Sequence, residues 1–256
     1  MENTEHFTNR AEHYRKYRPG YPDAVTKLMR EECGLLRGAR VADIGAGTGI
    51  LTRLLLEAGF EVSAVEPNAD MRRAAEEDLG QYPAFRAVAA PAEATGLADG
   101  AVEAITVAQA FHWFDHAKAG VEFRRILRPG GWMFIIRNHR QAEGSALARD
   151  FESLMKNTLG EAYAQAAHRD RGESGRKIRE FFPAGAVRLE EFDNPQTLDW
   201  TGLRGRMLSV SYAPAEGEPG HKELIAGLED IFKKHERDGV ITFEQKTEVY
   251  YGRLGE

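Results

Sequence analysis

The 256-residue sequence has one cysteine, Cys33, which excludes an intrachain disulfide and any metal cluster built from several thiolates. It lacks an excess of positive charge. The formal net charge is −6, so no global field gathers phosphate backbones, although a local basic patch stays open, and a nucleic-acid partner is not expected. It lacks an apolar run long enough to span a bilayer, and Met1-Glu2-Asn3-Thr4-Glu5-His6 lacks the basic and then apolar order of a secretory leader. The chain therefore reads as cytoplasmic, with no membrane partner. No dense group of Asp, Glu and His stands at ligand spacing, so no metal is expected, and there is no internal repeat. With 42% hydrophobic and 29% charged residues the chain can fill one large or two small cores. Val25, Leu28, Met29, Cys33 and Leu36 fall on one helical stripe, where Cys33 reads as a small core residue.

What is present centres on Val41-Ala42-Asp43-Ile44-Gly45-Ala46-Gly47-Thr48-Gly49-Ile50. This reads as a buried strand, a loop with glycine at every second position, and a helix carrying Ile50, Leu51, Leu54 and Leu55. Such glycines permit positive φ and close ligand approach, and the first helical amides point at whatever sits there. Glu66 ends the next strand-like run, about where a doubly wound fold places the acid that binds ribose hydroxyls. Together these describe a nucleoside site. The dinucleotide fingerprint G-x-G-x-x-G fails at its third glycine, which is Ile50 here, and Asp43 repels a pyrophosphate but suits a cation.

Asp43-Ile44-Gly45-Ala46-Gly47-Thr48-Gly49 resembles the first motif of the class I S-adenosylmethionine-dependent methyltransferases. The resemblance implies that Asp43, Gly45, Ala46, Gly47, Thr48 and Gly49 surround the amino-acid part of S-adenosylmethionine, and that Glu66, with Pro67 after it, binds the ribose. Before this core, Phe7, Ala11, Tyr14, Arg18-Pro19-Gly20-Tyr21-Pro22 is similar to the arm that covers the cofactor in many small-molecule methyltransferases. That likeness makes Tyr14 and Arg18 cofactor candidates, while composition alone reads a plain surface arm. Glu93, in Pro91-Ala92-Glu93-Ala94, matches an acid that lies near adenine in related enzymes; its spacing alone equally suits a solvated charge.

The strand from about Ala101 to Ala110 runs into Phe111-His112-Trp113-Phe114-Asp115, just beyond a central parallel strand, where such sheets bind ligands. Gln109 is a cofactor candidate there. The run Ala108 to Asp115 looks like the fourth motif of a branch that includes trans-aconitate carboxyl methyltransferases. It lacks the Asp/Asn-Pro-Pro-aromatic turn of enzymes that methylate base amino groups. His112 is the candidate general base, since its ordinary pKa is near neutrality, and His112 with Trp113 are substrate candidates. A core role for the three aromatics and a surface role for His112 remain the plain alternative.

Further along, strands are expected at Trp132–Ile136, Val187–Asp193 and Val240–Tyr251, helices at Asp23–Leu36 and Asp115–Leu127, and a mobile polar loop over 168–176. Strand and helix alternate through residue 137, which indicates an α/β fold with a doubly wound parallel sheet. The resemblance extends this to a Rossmann-like, seven-stranded, mostly parallel sheet with helices on both faces and a C-terminal antiparallel strand. One domain over 1–256 is expected: an arm over 1–22, the cofactor core over 23–140, and substrate-cover additions over 141–256. Arg137, Arg206 and Tyr212 are substrate candidates; two guanidiniums and three hydroxyls within Arg204–Tyr212 suit a carboxylate pocket, or are simply solvated. The function implied is transfer of a methyl group from S-adenosylmethionine to a small-molecule acceptor, a carboxylate or hydroxyl, by in-line displacement. The rivals are a catalytically silent S-adenosylmethionine-binding module and a nicotinamide-dependent oxidoreductase.

Overall fold

A computed structural model describes residues 15–140, 145–171, 173–210 and 212–255. Strands β1 (Arg40–Ile44), β2 (Glu61–Val65), β3 (Phe85–Val88), β4 (Val102–Ala108), β5 (Leu127–Arg140), β6 (Arg188–Asp193) and β9 (Gln245–Gly252) form one sheet in the order β3-β2-β1-β4-β5-β9-β6. The pairs among β1 to β5 are parallel, and β9 runs antiparallel to both β5 and β6. The expected fold class is therefore the observed one.

Helices α1 (Ala24–Glu31), α2 (Ile50–Glu57), α3 (Ala69–Leu79) and α4 (His116–Ile126) lie among these strands. They cover both faces, and this is why the strands read as continuous apolar runs rather than alternating ones. Met133 and Ile135 pack on one face with Ile44, Ile105 and Phe123. Phe134 and Ile136 pack on the other with Val41, Leu55 and Val249. A third apolar cluster lies apart from the sheet, built by α5 (Ala146–Arg171), α7 (Trp200–Leu208), α8 (His221–His235), β7 (Gln196–Leu198) and β8 (Ile241–Phe243). Phe151, Met155, Leu203, Leu224 and Leu228 are its buried centre.

Several boundaries differ from expectation. Helix α1 stops at Glu31 and Gly34 takes a φ of 68°, so Leu36 leaves the apolar stripe and is 77% exposed. Cys33 stays partly packed on the core, where burial pushes its thiol up to about 12 and so favours the protonated form, in keeping with a packing role. Residues 168–171 and 173–176 are helical rather than a loop: α5 runs to Arg171 and α6 is Glu173–Phe181. The run Glu161–Arg171 is rich in alanine, and its helix propensity outweighs its polarity. The break comes earlier, at Gly160, with a φ of 49°. The expected last strand divides at Glu244, so that β8 pairs with β7 in a separate two-stranded sheet and β9 joins the main one. Strand β5 begins at Leu127, and its register jumps from Val102–Leu127 to Ala104–Trp132 across the bulge at Arg128 to Gly131.

Candidate functional site

A cavity of about 310 Å3 opens at the C-terminal ends of β1, β2 and β4. Gly45, Gly47, Glu66, Pro67, Glu93, Gln109 and Trp113 line it, all residues that the sequence nominates. Strand β1 delivers the chain into the loop 45–49, and two glycines there are dictated by geometry. A Cβ on Gly45, at φ 69°, meets the Ala110 methyl at 2.5 Å, so the loop can approach the end of β4 only without a side chain. A Cβ on Gly47, at φ 58°, meets nothing within 4 Å, so its backbone faces open space.

Glu66 closes the loop from the next strand. One carboxylate oxygen accepts from the Gly47 amide at 2.8 Å and the other from the Asn68 amide at 2.9 Å. Burial raises its pKa, opposed by those two amides and by the charge of Arg72, whose guanidinium donates to the Glu66 carbonyl at 2.9 Å. Asn68 caps α3 by accepting from the amides of Asp70 and Met71. Opposite, Glu93 accepts from the Asp115 amide at 2.8 Å, which ties the β3–β4 connection to the start of α4.

Gln109 has an unusual backbone, with φ at 56° in a residue other than glycine. Its amide donates to the Ile136 carbonyl at 3.0 Å and its side chain to the Asn138 carbonyl at 3.1 Å, so β5 holds it in place. The chain then enters a single turn of 3-10 helix, Phe111–Trp113, which puts Trp113 and Phe114 on the cavity wall. Phe111 is buried and stacks on the His116 ring at 4.2 Å. His112 is exposed and is not part of the lining; its ring lies 4.7 Å from that of Trp113.

Other nominated residues lie elsewhere. Asp43 is only 1% exposed and sits beneath the loop, its oxygens accepting from Thr52 at 2.6 Å and Thr106 at 2.9 Å. It anchors the loop from below and is not part of the cavity lining. Burial pushes its carboxyl up to about 6, against the two hydroxyls that favour the charged form. Ala46, Thr48 and Gly49 belong to the loop but not to the lining, and Thr48 is buried. Arg18 donates to the Ser209 carbonyl at 3.1 Å and so fastens the arm to the end of α7, outside the cavity. Tyr14 lies outside the described residues.

Arg137 is buried and paired at 3.6 Å with Glu248, its cross-strand partner on β9, and does not line the cavity. Tyr212 packs edge-on to Tyr163 at 5.9 Å in the third apolar cluster. Arg206 lines a second, smaller cleft described below. The sequence reading missed Asn68, Met71, Pro91, Ala92, Ala108, Ala110 and Phe114 in the lining. Asn68 carried a readable signal as the residue before an amphipathic helix; the small and apolar ones carried none.

A family described as "Methyltransferase domain" matches residues 42–135, the segment from β1 into β5. A methyltransferase of Mycobacterium tuberculosis, described as uncharacterised, is 41% identical over 128 residues, 50% of this chain and 49% of that one. The chain thus spans about half the length of the first curated relatives it matches. A methyltransferase of Geobacillus kaustophilus, likewise uncharacterised, is 30% identical over 170 residues, 59% of this chain and 72% of its own length. Among solved structures, a protein assigned as a type II methyltransferase from Anaeromyxobacter dehalogenans superposes with a TM-score of 0.65 at 23% identity, covering 93% of this chain and 99% of that one. The Haemonchus contortus phosphoethanolamine N-methyltransferase 2, solved with phosphomonomethylethanolamine and S-adenosylhomocysteine, gives 0.56 at 14% identity, covering 98% and 58%. These two share the fold. By its sheet order, its family match and its Geobacillus relative, the chain belongs to the class I S-adenosylmethionine-dependent methyltransferases.

Proposed function

We propose that the protein methylates a small-molecule acceptor, using S-adenosylmethionine held in the cavity of Gly47, Glu66 and Trp113. The observation that carries this reading is the spare capacity of Glu66. Each of its oxygens accepts one backbone amide, and a carboxylate has about four acceptor sites, so two vicinal hydroxyls of a ribose can still be bound. The open face of Gly47 suits the amino-acid part of the ligand, and Met71, Ala92 and Phe114 offer an apolar bed for a base beside Glu93. A volume of about 310 Å3 is adequate for a ligand of that class.

When bound, S-adenosylmethionine supplies an electrophilic methyl group on a sulfonium whose sulfide leaves readily. The protein's own task is then alignment and exclusion of water. Gln109, fixed by two hydrogen bonds to β5, and Trp113 form the part of the wall nearest the acceptor side in this reading. For a hydroxyl acceptor His112 removes the proton, turning towards the cavity beside Trp113; a carboxylate acceptor has no proton to lose and needs no base.

The test is an untargeted one. Purified protein is incubated with methyl-labelled S-adenosylmethionine and a metabolite extract, and products gaining one methyl group are sought. A labelled small molecule is expected. His112→Ala should then lower turnover by about 10²-fold or more for a hydroxyl acceptor and by only a few-fold for a carboxylate. Binding of S-adenosylhomocysteine with no labelled product from any extract would instead favour a silent binding module.

A further inference from the structure

The C-terminal layer contains a second cleft, whose polar lining consists of Arg140, Gln196, Arg206 and Gln245. These come from the end of β5, the start of β7, the last turn of α7 and the start of β9. The lining is one-sided in its chemistry: two guanidiniums and two amides, with no carboxylate. Arg140 is half-buried, its guanidinium carbon 4.4 Å from the centre of the Phe151 ring and 5.4 Å from that of Phe243. Such rings steady a cation but accept none of its five N–H bonds in the plane. Among the described residues no acid pairs with Arg140.

Gln245 gives the second, independent sign. It is 4% exposed, and its side-chain nitrogen has no hydrogen-bond partner among the described residues. Buried amide donors are rarely left so, because each unmade bond costs about 1–3 kcal/mol. Arg140 and Gln245 stand directly opposite in the β5–β9 register. Both therefore ask, from adjacent strands, for one acceptor of negative charge. The cleft's free volume of about 10 Å3 admits one oxygen-sized group, such as one oxygen of a carboxylate.

Its place in the fold relates it to the larger cavity. Arg140 lies two residues beyond Asn138 on β5, about 7 Å along the strand. The Asn138 carbonyl is what holds Gln109 at the wall of that cavity. Gln196 also donates to the Tyr17 carbonyl of the arm at 3.0 Å.

Building on the methyltransferase reading, we propose that this cleft is an anion subsite for the acceptor. The acceptor then carries a carboxylate, remote from the atom that is methylated, which Arg140, Arg206 and Gln245 hold while the reacting end reaches Gln109 and Trp113. The acceptor class is a small organic acid, and its carboxylate in this cleft is a handle rather than the reacting group.

The test uses protein saturated with S-adenosylhomocysteine, titrated calorimetrically with acetate, succinate and phenylacetate and with the corresponding neutral amides. At least one carboxylate should bind tenfold or more tightly than its amide. Arg140→Met and Gln245→Leu should each erase most of that preference, Arg140→Lys should keep part of it, and all three should bind S-adenosylhomocysteine within about twofold of wild type, which also verifies their folding. Equal binding of acid and amide, no binding of any acid, or a preference that survives Arg140→Met would each overturn the subsite. Failure of the wild-type protein to bind S-adenosylhomocysteine would overturn the proposed function itself, a separate result read before any acid is added.

Discussion

Asp43 and Glu66 are both buried acids at the ends of adjacent strands, and their partners divide the labour between them. Glu66 faces the cavity and holds backbone amides; Asp43 faces away and holds two hydroxyls, Thr52 on α2 and Thr106 on β4. Asp43 thus joins three elements beneath the glycine loop, and its contribution is to stability. Its carboxyl is raised from the ordinary aspartate value of about 3.9 to about 6 in the fold. A raised acid binds more protons folded than unfolded between those values, so its contribution to stability falls as pH rises from about 4 through 6. A rise of that size corresponds to about 3 kcal/mol. Asp43→Asn cannot titrate, so the stability of wild type relative to this variant should drop by about 2–3 kcal/mol between pH 4 and pH 7. Urea unfolding of both proteins at the two pH values measures this, and a difference that stays flat with pH would contradict it.

At the scale of elements, the arm is joined to the sheet by a small set of amides. The Gly20 carbonyl accepts from Asn138 at 3.0 Å and from Asn194 at 2.9 Å, and Asn194 also reaches the Asn138 side-chain oxygen and Thr247. Tyr17 lies against Gly205 of α7, and Arg15 pairs with Asp78 at 2.8 Å on α3. The arm therefore bridges the helix beside the cavity at Gly47 and the C-terminal layer. Asn194→Ala should speed amide exchange across residues 15–21 by about 5- to 100-fold, the range for losing one or two such bonds, while exchange in β1 and β4 stays unchanged. Hydrogen-exchange mass spectrometry reads this directly; an arm that exchanges as in wild type would mean that Arg18 and Arg15 suffice to hold it.

The molecule as a whole divides by how local its information is. The first half was legible because its signal is contiguous: β1, the glycine loop and α2 follow one another, and Glu66 comes one strand later. Apolar runs such as Trp132–Ile136 announced strands covered on both faces, and those strands are present. The C-terminal half was not legible in the same way. Whether Arg137 or Arg140 is the arginine beside the second cleft depends on the pairing of β5 with β9, where Arg137 meets Glu248 and Arg140 meets Gln245. The division of the last strand at Glu244 likewise depends on β7, over forty residues earlier, as pairing partner. For Asp43 the place beside the loop was evident, but its hydrogen bond to Thr106 was not, because the sequence puts that partner far away.

The claim on which every other role rests is that the cavity at Gly47 takes the nucleoside of S-adenosylmethionine, and calorimetric titration with S-adenosylhomocysteine tests it most directly. Wild type should bind one equivalent per chain and show no heat with NAD. Gly47→Arg, whose side chain projects into the open space that Gly47 faces, should weaken binding by about 10²-fold or more while retaining the far-ultraviolet circular dichroism of the fold. Binding of NAD as tight as that of S-adenosylhomocysteine, or full affinity in Gly47→Arg, would contradict it.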